Sequence, residues 1–224
     1  MKFVRPILLF TFGLWAFAEA YDPGRFEREV LVTSSRDAIQ FEVLANGDIV
    51  FVEFAGGVKR WDAKSGSVTT LGYVPTYAKG EVGLLGFAVS PDFLKNGHLF
   101  TLHCPKSKQD TMRVSRFVVK DAKLDVAGEK VLLDWPYDDE HIFHMGVAVF
   151  MDGRGYLYIG NGDNCHWKPG LPIDFRPGMK SWDAMRSAGN SQDLRGKILR
   201  IQPKERPPRN LCDGCSQPLP HDSG

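Results

Sequence analysis

Short apolar segments with a roughly alternating pattern follow one another from Tyr21 to about residue 201. Gly, Asn, Asp and Pro separate these segments every several residues, which is the pattern of β-strands joined by turns. No amphipathic helix of substantial length is predicted, although residues 181–187 would suit a single helical turn. The chain is therefore predicted to be all-β, with strands at residues 39–44, 48–54, 58–62, 68–73, 85–89, 99–103, 113–119, 145–150, 156–159 and 198–201.

One local pattern recurs three times: a turn that contains a glycine leads into an apolar strand. The glycines are Gly47, Gly97 and Gly155, which lie 50 and then 58 residues apart. A spacing of this size is typical of the four-stranded antiparallel blades of a β-propeller, whereas a β-sandwich would give short strands without the spaced repeat. At about 50 residues per blade, the chain supplies three to four blades, so we predict a partial propeller.

The first twenty residues have the pattern of a secretory signal peptide. Lys2 and Arg5 precede an apolar run at residues 7–17, and Ala-Glu-Ala at residues 18–20 is a small-x-small cleavage site. The apolar run is shorter than the roughly 20 residues that a membrane-spanning helix needs, and no later run is longer. We therefore predict cleavage after Ala20, export to the periplasm or out of the cell, and no membrane span.

The C-terminal segment differs in composition from the rest of the chain. Residues 204–224 carry charge and proline but almost no apolar side chain to bury, so we predict that they are unstructured. A truncated or out-of-frame coding end is one hypothesis for this tail. The predicted organisation is a signal peptide at residues 1–20, a partial propeller at residues 21–203 and the tail at residues 204–224.

Charge and cysteine content narrow the possible chemistry. The 28 basic and 27 acidic residues are balanced and form no basic stripe, so nucleic acid is not an expected partner. The four cysteines are Cys104, Cys165, Cys212 and Cys215; export would permit disulfides, and three pairings are possible. The last two form a C-x-x-C pair that is followed by Ser rather than His. It therefore lacks the haem-attachment pattern, and by itself it cannot complete a zinc site.

Histidine and carboxylate side chains flank the hairpin predicted from strands 145–150 and 156–159. His144 precedes the first strand and Asp163 follows the second, so the hairpin should make them neighbours. A neutral imidazole that a carboxylate holds is a good general base near neutral pH. The alternative is a structural role, with His144 hydrogen-bonded in a loop and Asp163 forming a turn. His141 and His144 have the spacing of some metal-ligand pairs, but no third ligand is evident, which disfavours zinc.

Four ordered segments are distinctive: GEVGLLGFAVSPDF at residues 80–93 with Asn96-Gly97 after it, the segment around His144, LYIGNGDN at residues 157–164, and LRGKILRI at residues 194–201. They resemble motifs of the soluble, pyrroloquinoline-quinone (PQQ)-dependent glucose/sorbosone dehydrogenase family. The resemblance covers residues 39–201 and corresponds to the N-terminal half of the family's fold.

The resemblance implies a six-bladed propeller that holds PQQ with calcium on its top face and oxidises an aldose at its anomeric carbon. In that reading His144 is the base that takes the hydroxyl proton while hydride moves to the quinone. Asp163 orients and polarises His144, and Glu81 contacts the sugar. The implied partners are a small-molecule sugar and an electron acceptor.

The chain also departs from the family's pattern. Gly146-Val147 stands where the family usually has Gly-Gly after the histidine. The His-Arg-Asn-Pro segment that follows the strand at residues 196–201 in the family is absent, and so are the calcium loop and the later basic residues that hold the quinone. The resemblance therefore implies an incomplete cofactor site. Three hypotheses follow: the N-terminal portion of a sugar dehydrogenase, a non-catalytic propeller that binds carbohydrate or protein, or an inactive fragment.

Overall fold

The structure is a computed structural model, and it describes residues 24, 27–138, 142–165 and 186–203. The chain divides into two compact units, Met1–Val30 and Leu31–Gly224. The described strands all belong to the second unit and form three antiparallel sheets. Their bounds are β1 Ala38–Val43, β2 Ile49–Glu53, β3 Gly57–Trp61 and β4 Val68–Tyr73; β5 Leu84–Val89, β6 His98–His103, β7 Thr111–Lys120 and β8 Lys123–Pro136; and β9 Val147–Met151, β10 Leu157–Asn161 and β11 Lys197–Ile201. A short helix, α1, spans Phe93–Asn96.

Each sheet is a meander in which strands that are consecutive in sequence pair with each other. The strand orders are β1-β2-β3-β4, β5-β6-β7-β8 and β9-β10-β11, which we name blades 1, 2 and 3. The first strands of successive blades lie beside each other, β1 against β5 and β5 against β9, and the outer strands β4 and β8 also meet. This radial arrangement of meanders is a partial six-bladed β-propeller, so the predicted fold class is confirmed.

Side-chain alternation along the strands builds the core between neighbouring blades. On one side of blade 2, Leu99 and Phe117 pack with residues of blade 1 such as Val50 in one buried cluster. On its other side, Phe100 packs with residues of blade 3 such as Ile159 in a second cluster. Adjacent residues of β6 therefore serve opposite clusters, because successive side chains of a strand point to opposite faces.

The recurring glycines of the sequence occupy equivalent turns. Gly47, Gly97 and Gly155 all have positive φ, at 87°, 64° and 81°, and each lies just before the second strand of its blade. Space is also restricted at the middle one, because a Cβ on Gly97 would lie 2.0 Å from the carbonyl oxygen of Val119. The repeat seen in the sequence thus marks one turn per blade in which the backbone favours glycine.

A single amide ties the three inner strands together. The side chain of Gln40 in β1 donates to the carbonyl oxygens of Phe87 in β5 and Val149 in β9, both at 2.8 Å. Its Oε1 accepts from the N–H of Phe87 at 3.2 Å. In the sequence, Gln40 is only one residue of the strand predicted at residues 39–44, and no local pattern indicates this link.

The strand at Lys123–Pro136 is the main element that the sequence pattern missed. It is the longest strand described, with 14 residues, and it pairs with β7 along most of its length. Few of its residues are buried, and two register shifts interrupt the pairing. Because its apolar alternation is weak, only pairing with β7 identifies it as a strand.

Several expectations lie outside the described residues: the signal peptide at residues 1–20, the tail at residues 204–224, Cys212, Cys215 and most of the helical turn at residues 181–187. Within the described ranges, no helix is long and apolar enough to cross a membrane.

Candidate active site

The β9–β10 hairpin brings the predicted histidine and carboxylate together. Val147 pairs with Asn161, so the residues before β9 lie beside those after β10. The Nδ1 of His144 lies 3.3 Å from Oδ1 of Asp163. The histidine side chain is 56% exposed, whereas that of Asp163 is 22% exposed. The two side chains are therefore neighbours, as predicted, with the carboxylate mostly buried and the imidazole more than half exposed.

The backbone around the pair is tightly constrained. His144 has a φ of 52°, in the left-handed region that non-glycine residues seldom adopt. Its carbonyl oxygen accepts the N–H of Asn164 at 3.2 Å. A Cβ on Gly162 would lie 1.8 Å from that same oxygen, so the two loops can approach only because Gly162 has no side chain. Contacts between the loops thus hold His144 in a conformation that costs roughly 1 kcal/mol or more.

Glu81 reaches the same region from the loop before β5. Its Oε2 accepts the N–H of Met145, the residue after His144, at 3.3 Å. The adjacent Gly80 has a φ of 59°, and a Cβ there would lie 2.4 Å from Cδ1 of Ile142. The three site residues predicted from sequence therefore belong to one region of the molecule, contributed by loops of blades 2 and 3.

A polar cluster beneath the pair was not found by sequence reasoning. The buried Asn164 accepts the N–H of Asp138 at 2.7 Å and Nη1 of Arg195 at 3.0 Å, both at its Oδ1. Its Nδ2 lies 3.5 Å from the sulfur of Met145. Asp163 and Asn164 are consecutive in the GNGDN motif. Asp163 lies beside His144, and Asn164 holds the loop through its bonds with Asp138 and Arg195. The sequence signal for Asn164 was its place at the end of the LYIGNGDN segment, next to Asp163.

The guanidinium of Arg195 is held from two sides. Besides Asn164, it binds both carboxylate oxygens of Asp193, with Nη2 at 2.6 Å from Oδ2 and Nε at 3.0 Å from Oδ1. Burial by itself would raise the pKa of Asp193, but the hydrogen bonds and charge of Arg195 outweigh it and hold that pKa below the usual range. The pair is therefore a fixed ionic support for the loop after β10.

An open cleft of about 580 Å³ lies next to the histidine. It lies on the side of blade 3 that faces away from blade 2. Its described lining consists of His144, Gly146, Ala148, Gly160, Asn161, Gly162, Asp163, Ala188, Gly196, Lys197 and Ile198. With four glycines and two alanines in this lining, the cleft leaves room for a ligand beside the exposed imidazole ring.

The cationic groups around this cleft already have partners. Lys197 donates to the carbonyl oxygens of Ser187, Ala188 and Arg195 at 2.7, 2.9 and 2.9 Å, which uses all three of its ammonium donors. Arg186 lies 3.5 Å from a carboxylate oxygen of Asp138 and donates to a backbone carbonyl. These cations stabilise the loops of the site, and a bound anion would have to compete with those contacts.

The described residues offer no metal centre. No group of three or more His, Cys, Asp or Glu side chains converges there in a way that could hold an ion. The second histidine of the sequence pair considered for zinc, His141, lies outside the described residues.

The fold and this site define a β-propeller that presents an exposed histidine–aspartate pair beside an open cleft. The family model described as Glucose / Sorbosone dehydrogenase matches residues 36–212, and the chain belongs to that family.

Solved structures agree on the fold. A Thermus thermophilus oxidoreductase described as a glucose dehydrogenase has 22% identity and a TM-score of 0.63, over 81% of this chain and 49% of that one. The PQQ-bound aldose sugar dehydrogenase of Streptomyces coelicolor has 23% identity and a TM-score of 0.62, over 78% of this chain and 47% of that one. The apo form of the soluble aldose sugar dehydrogenase of Escherichia coli has 18% identity and a TM-score of 0.51, over 77% and 47%. The chain thus spans about half the length of these structures, and no curated protein matches it.

Proposed function

We propose that this chain carries the proton-accepting part of a PQQ-dependent aldose dehydrogenase, with His144 as the general base. The observation that carries the proposal is the contact of 3.3 Å between His144 Nδ1 and Asp163 Oδ1, with the ring more than half exposed beside a cleft. Membership of the glucose/sorbosone dehydrogenase family supports a sugar as substrate. Export of the mature chain and the boundaries at residues 20 and 203 belong to the same proposal.

The geometry gives each residue of the pair a separate task. With Asp163 at Nδ1, the neutral imidazole keeps its proton on that nitrogen, so Nε2 is the atom that accepts the proton of the sugar hydroxyl. The hydroxyl oxygen must come within about 2.6 to 3.2 Å of Nε2. Asp163 then stabilises the positive charge that develops on the ring. Glu81, whose carboxylate is bound to the backbone next to His144, would receive a second sugar hydroxyl.

The residues described here do not fit PQQ by themselves. The carboxylates of the quinone require cations or oriented donors, and Lys197, the cation in the described lining of this cleft, is engaged by three backbone carbonyls. No described cluster would hold calcium either. The groups that bind the quinone would therefore have to come from elsewhere in the complete family fold.

A second candidate is a propeller that binds carbohydrate without oxidising it. The contacts of Lys197 favour this candidate, because its ammonium group already donates to three backbone carbonyls. A neutral sugar needs hydrogen-bonding groups and space but no cationic partner. The cleft supplies the exposed His144 and the carboxylate of Asp163. Propellers host many functions, so the fold does not decide between the two candidates.

The test is to titrate the purified chain with PQQ and calcium, follow absorbance, and then measure dye reduction with a panel of aldoses. His144→Gln is the test variant, and Leu94→Gln, an exposed position in α1, is its matched control. Any turnover that the wild type shows should fall at least about 100-fold in His144→Gln, the usual effect of losing a general base, and should be unchanged in the control.

Turnover that survives in His144→Gln would contradict the proposed base. Sugar binding without turnover, seen as shifts of the His144 resonances on adding aldose, would favour the binding propeller. A folded chain that binds no aldose, with or without PQQ and calcium, would contradict both candidates.

A further inference from the structure

The loop after β10 lies between the segment that carries the histidine and a later segment of the chain. We name the later segment, residues 186–196, the supporting segment. On the histidine side, the N–H of Gly162 donates to the carbonyl oxygen of Met145 at 3.3 Å. The N–H of Asn164 donates to the carbonyl oxygen of His144 at 3.2 Å. The amides of the loop thus bind the backbone at the candidate base.

The carbonyl groups of the same loop bind the supporting segment. The three pairs are Gly162 with the N–H of Gly196 at 2.7 Å, Asp163 with Oγ of Ser187 at 2.5 Å, and Asn164 with Nη2 of Arg186 at 3.3 Å. The side chain of Asn164 is held from the same segment, because its Oδ1 accepts Nη1 of Arg195 at 3.0 Å. The loop is therefore the middle layer of three, and a displacement of the supporting segment would reach His144.

Ser187 acts directly on the residue that carries the carboxylate. Its side chain is 0% exposed, and a buried hydroxyl requires an acceptor, which here is the backbone of Asp163. The Oδ1 of Asp163 lies 3.3 Å from Nδ1 of His144 and accepts the N–H of Cys165 at 3.0 Å. Asp163 is therefore held at two points, its carbonyl group by Ser187 and its carboxylate by the amide of Cys165. Both bonds restrain how the carboxylate meets the imidazole.

Arg195 holds the next residue of the loop, Asn164. Its Nε and Nη2 bind the two carboxylate oxygens of Asp193, and its Nη1 reaches Oδ1 of Asn164. An arginine can make these bonds together because its guanidinium is a planar fork, whereas a lysine ammonium is a single point charge. Asp193 balances the charge of Arg195. The contact with Asn164 therefore fixes geometry without adding net charge beside the imidazole.

We propose that Ser187 and Arg195 are positioning residues for the His144–Asp163 pair. Ser187 acts through Asp163 and Arg195 through Asn164, and together they keep the carboxylate at Nδ1 and the loop against the histidine. Neither residue belongs to the described lining of the cleft, so their effect on a ligand is exerted through His144. The consequence for catalysis rests on the proposed function, whereas the geometry of the pair is measurable without turnover.

The first test is the ¹⁵N spectrum of the His144 ring in the full chain, compared between Ser187→Ala and Ser115→Ala. Ser115 is a matched control, because its hydroxyl is also 0% exposed and also donates at 2.5 Å, to Oε1 of Glu129 in blade 2. The control should lose at least as much stability, since its acceptor is a charged carboxylate. Only Ser187→Ala should weaken the preference of His144 for the Nδ1–H tautomer.

Hydrogen exchange of the Asn164 amide measures the contact between the loop and the histidine. Loss of one hydrogen bond of ordinary strength should make this amide exchange about 5-fold faster in Ser187→Ala than in Ser115→Ala. Arg195→Lys keeps a positive charge beside Asp193 but cannot span both partners, so it should change the same two readouts from the other side of the loop. It also keeps the test decisive if circular dichroism shows that Ser187→Ala does not fold.

Two results would overturn the proposal. If the His144 tautomer and the Asn164 exchange rate are unchanged in a folded variant, the substituted residue does not position the pair. If Ser115→Ala changes both readouts as much as Ser187→Ala does, a general loss of stability explains the effect. The proposed function is tested separately by turnover of His144→Gln, so it can fail while the positioning of the ring stands, and the positioning can fail while the function stands.

Discussion

Two histidines of this propeller face carboxylates, and their surroundings differ in almost every other respect. His103 lies in blade 2 with its side chain 1% exposed, 3.7 Å from Glu129, and its Nδ1 contacts the hydroxyl of Thr101 at 3.0 Å. His144 lies before blade 3 with its side chain 56% exposed, 3.3 Å from Asp163. The two distances from histidine to carboxylate are similar, at 3.7 and 3.3 Å. The difference in exposure therefore decides which ring a ligand can reach.

Burial dominates at His103. Desolvation lowers its pKa from 6.5 to about 4; the charge of Arg113 acts in the same direction, and that of Asp134 opposes them. His103 is therefore a neutral core residue that solvent does not reach, whereas the ring of His144 is accessible to a ligand. A histidine–carboxylate pair becomes a candidate catalytic group only where the ring is accessible.

The largest effect that would test this contrast is the acid sensitivity of folding. Below pH 6.5 the unfolded chain protonates its histidine, while folded His103 stays neutral down to about pH 4. Stability present above pH 6.5 is therefore lost as the pH falls toward 4. Wild type should lose about 2 to 3 kcal/mol more unfolding free energy between pH 7 and 4.5 than His103→Gln, which cannot titrate.

Urea denaturation at several pH values measures this difference, and carboxylates common to both proteins cancel in it. Parallel pH curves for wild type and His103→Gln would mean that His103 is protonated in the folded state. The contrast between the two histidines would then be lost.

A somewhat smaller effect tests how the loops hold His144. In Gly162→Ala, the added Cβ would lie 1.8 Å from the carbonyl oxygen of His144, whereas in Gly160→Ala the nearest atom is 3.6 Å away. We expect Gly162→Ala to lower the unfolding free energy by about 1 to 2 kcal/mol, because backbone must shift, and Gly160→Ala to stay within about 0.5 kcal/mol. Thermal and urea unfolding measure both variants. If Gly162→Ala and Gly160→Ala changed the unfolding free energy equally, the loops would not depend on this close approach.

The smallest expected effect separates the two rings directly. In the wild type the N–H of Cys165 donates to Oδ1 of Asp163 at 3.0 Å. Asp163→Asn keeps an oxygen for this hydrogen bond but removes the negative charge beside His144. Stability should change by less than about 1 kcal/mol, since the pair is partly exposed. The ¹⁵N shifts of His144 should show a weaker preference for the Nδ1–H tautomer, because a neutral amide oxygen is a poorer acceptor than a carboxylate, while those of His103 stay constant. Unchanged His144 shifts would mean that Asp163 does not select its tautomer.

The sequence predicted the elements that repeat or alternate strongly. The glycines at 47, 97 and 155 marked one turn per blade, and the predicted hairpin correctly placed His144 beside Asp163. The sequence pattern did not predict the strand Lys123–Pro136, whose apolar alternation is weak, or the hydrogen bond that Arg195 donates to Asn164. Both omissions have one cause, because each feature depends on a partner that no local sequence pattern contains. The strand depends on pairing with β7, and Asn164 depends on Arg195, 31 residues later.

Local sequence patterns were enough to define the class of fold and the hairpin, because strand alternation, turn glycines and short loops act over a few residues. Only the folded molecule shows which histidine is buried and which is open, and how Gln40 joins three inner strands. Exposure and desolvation depend on what packs against a residue from other blades, and no local pattern contains that information.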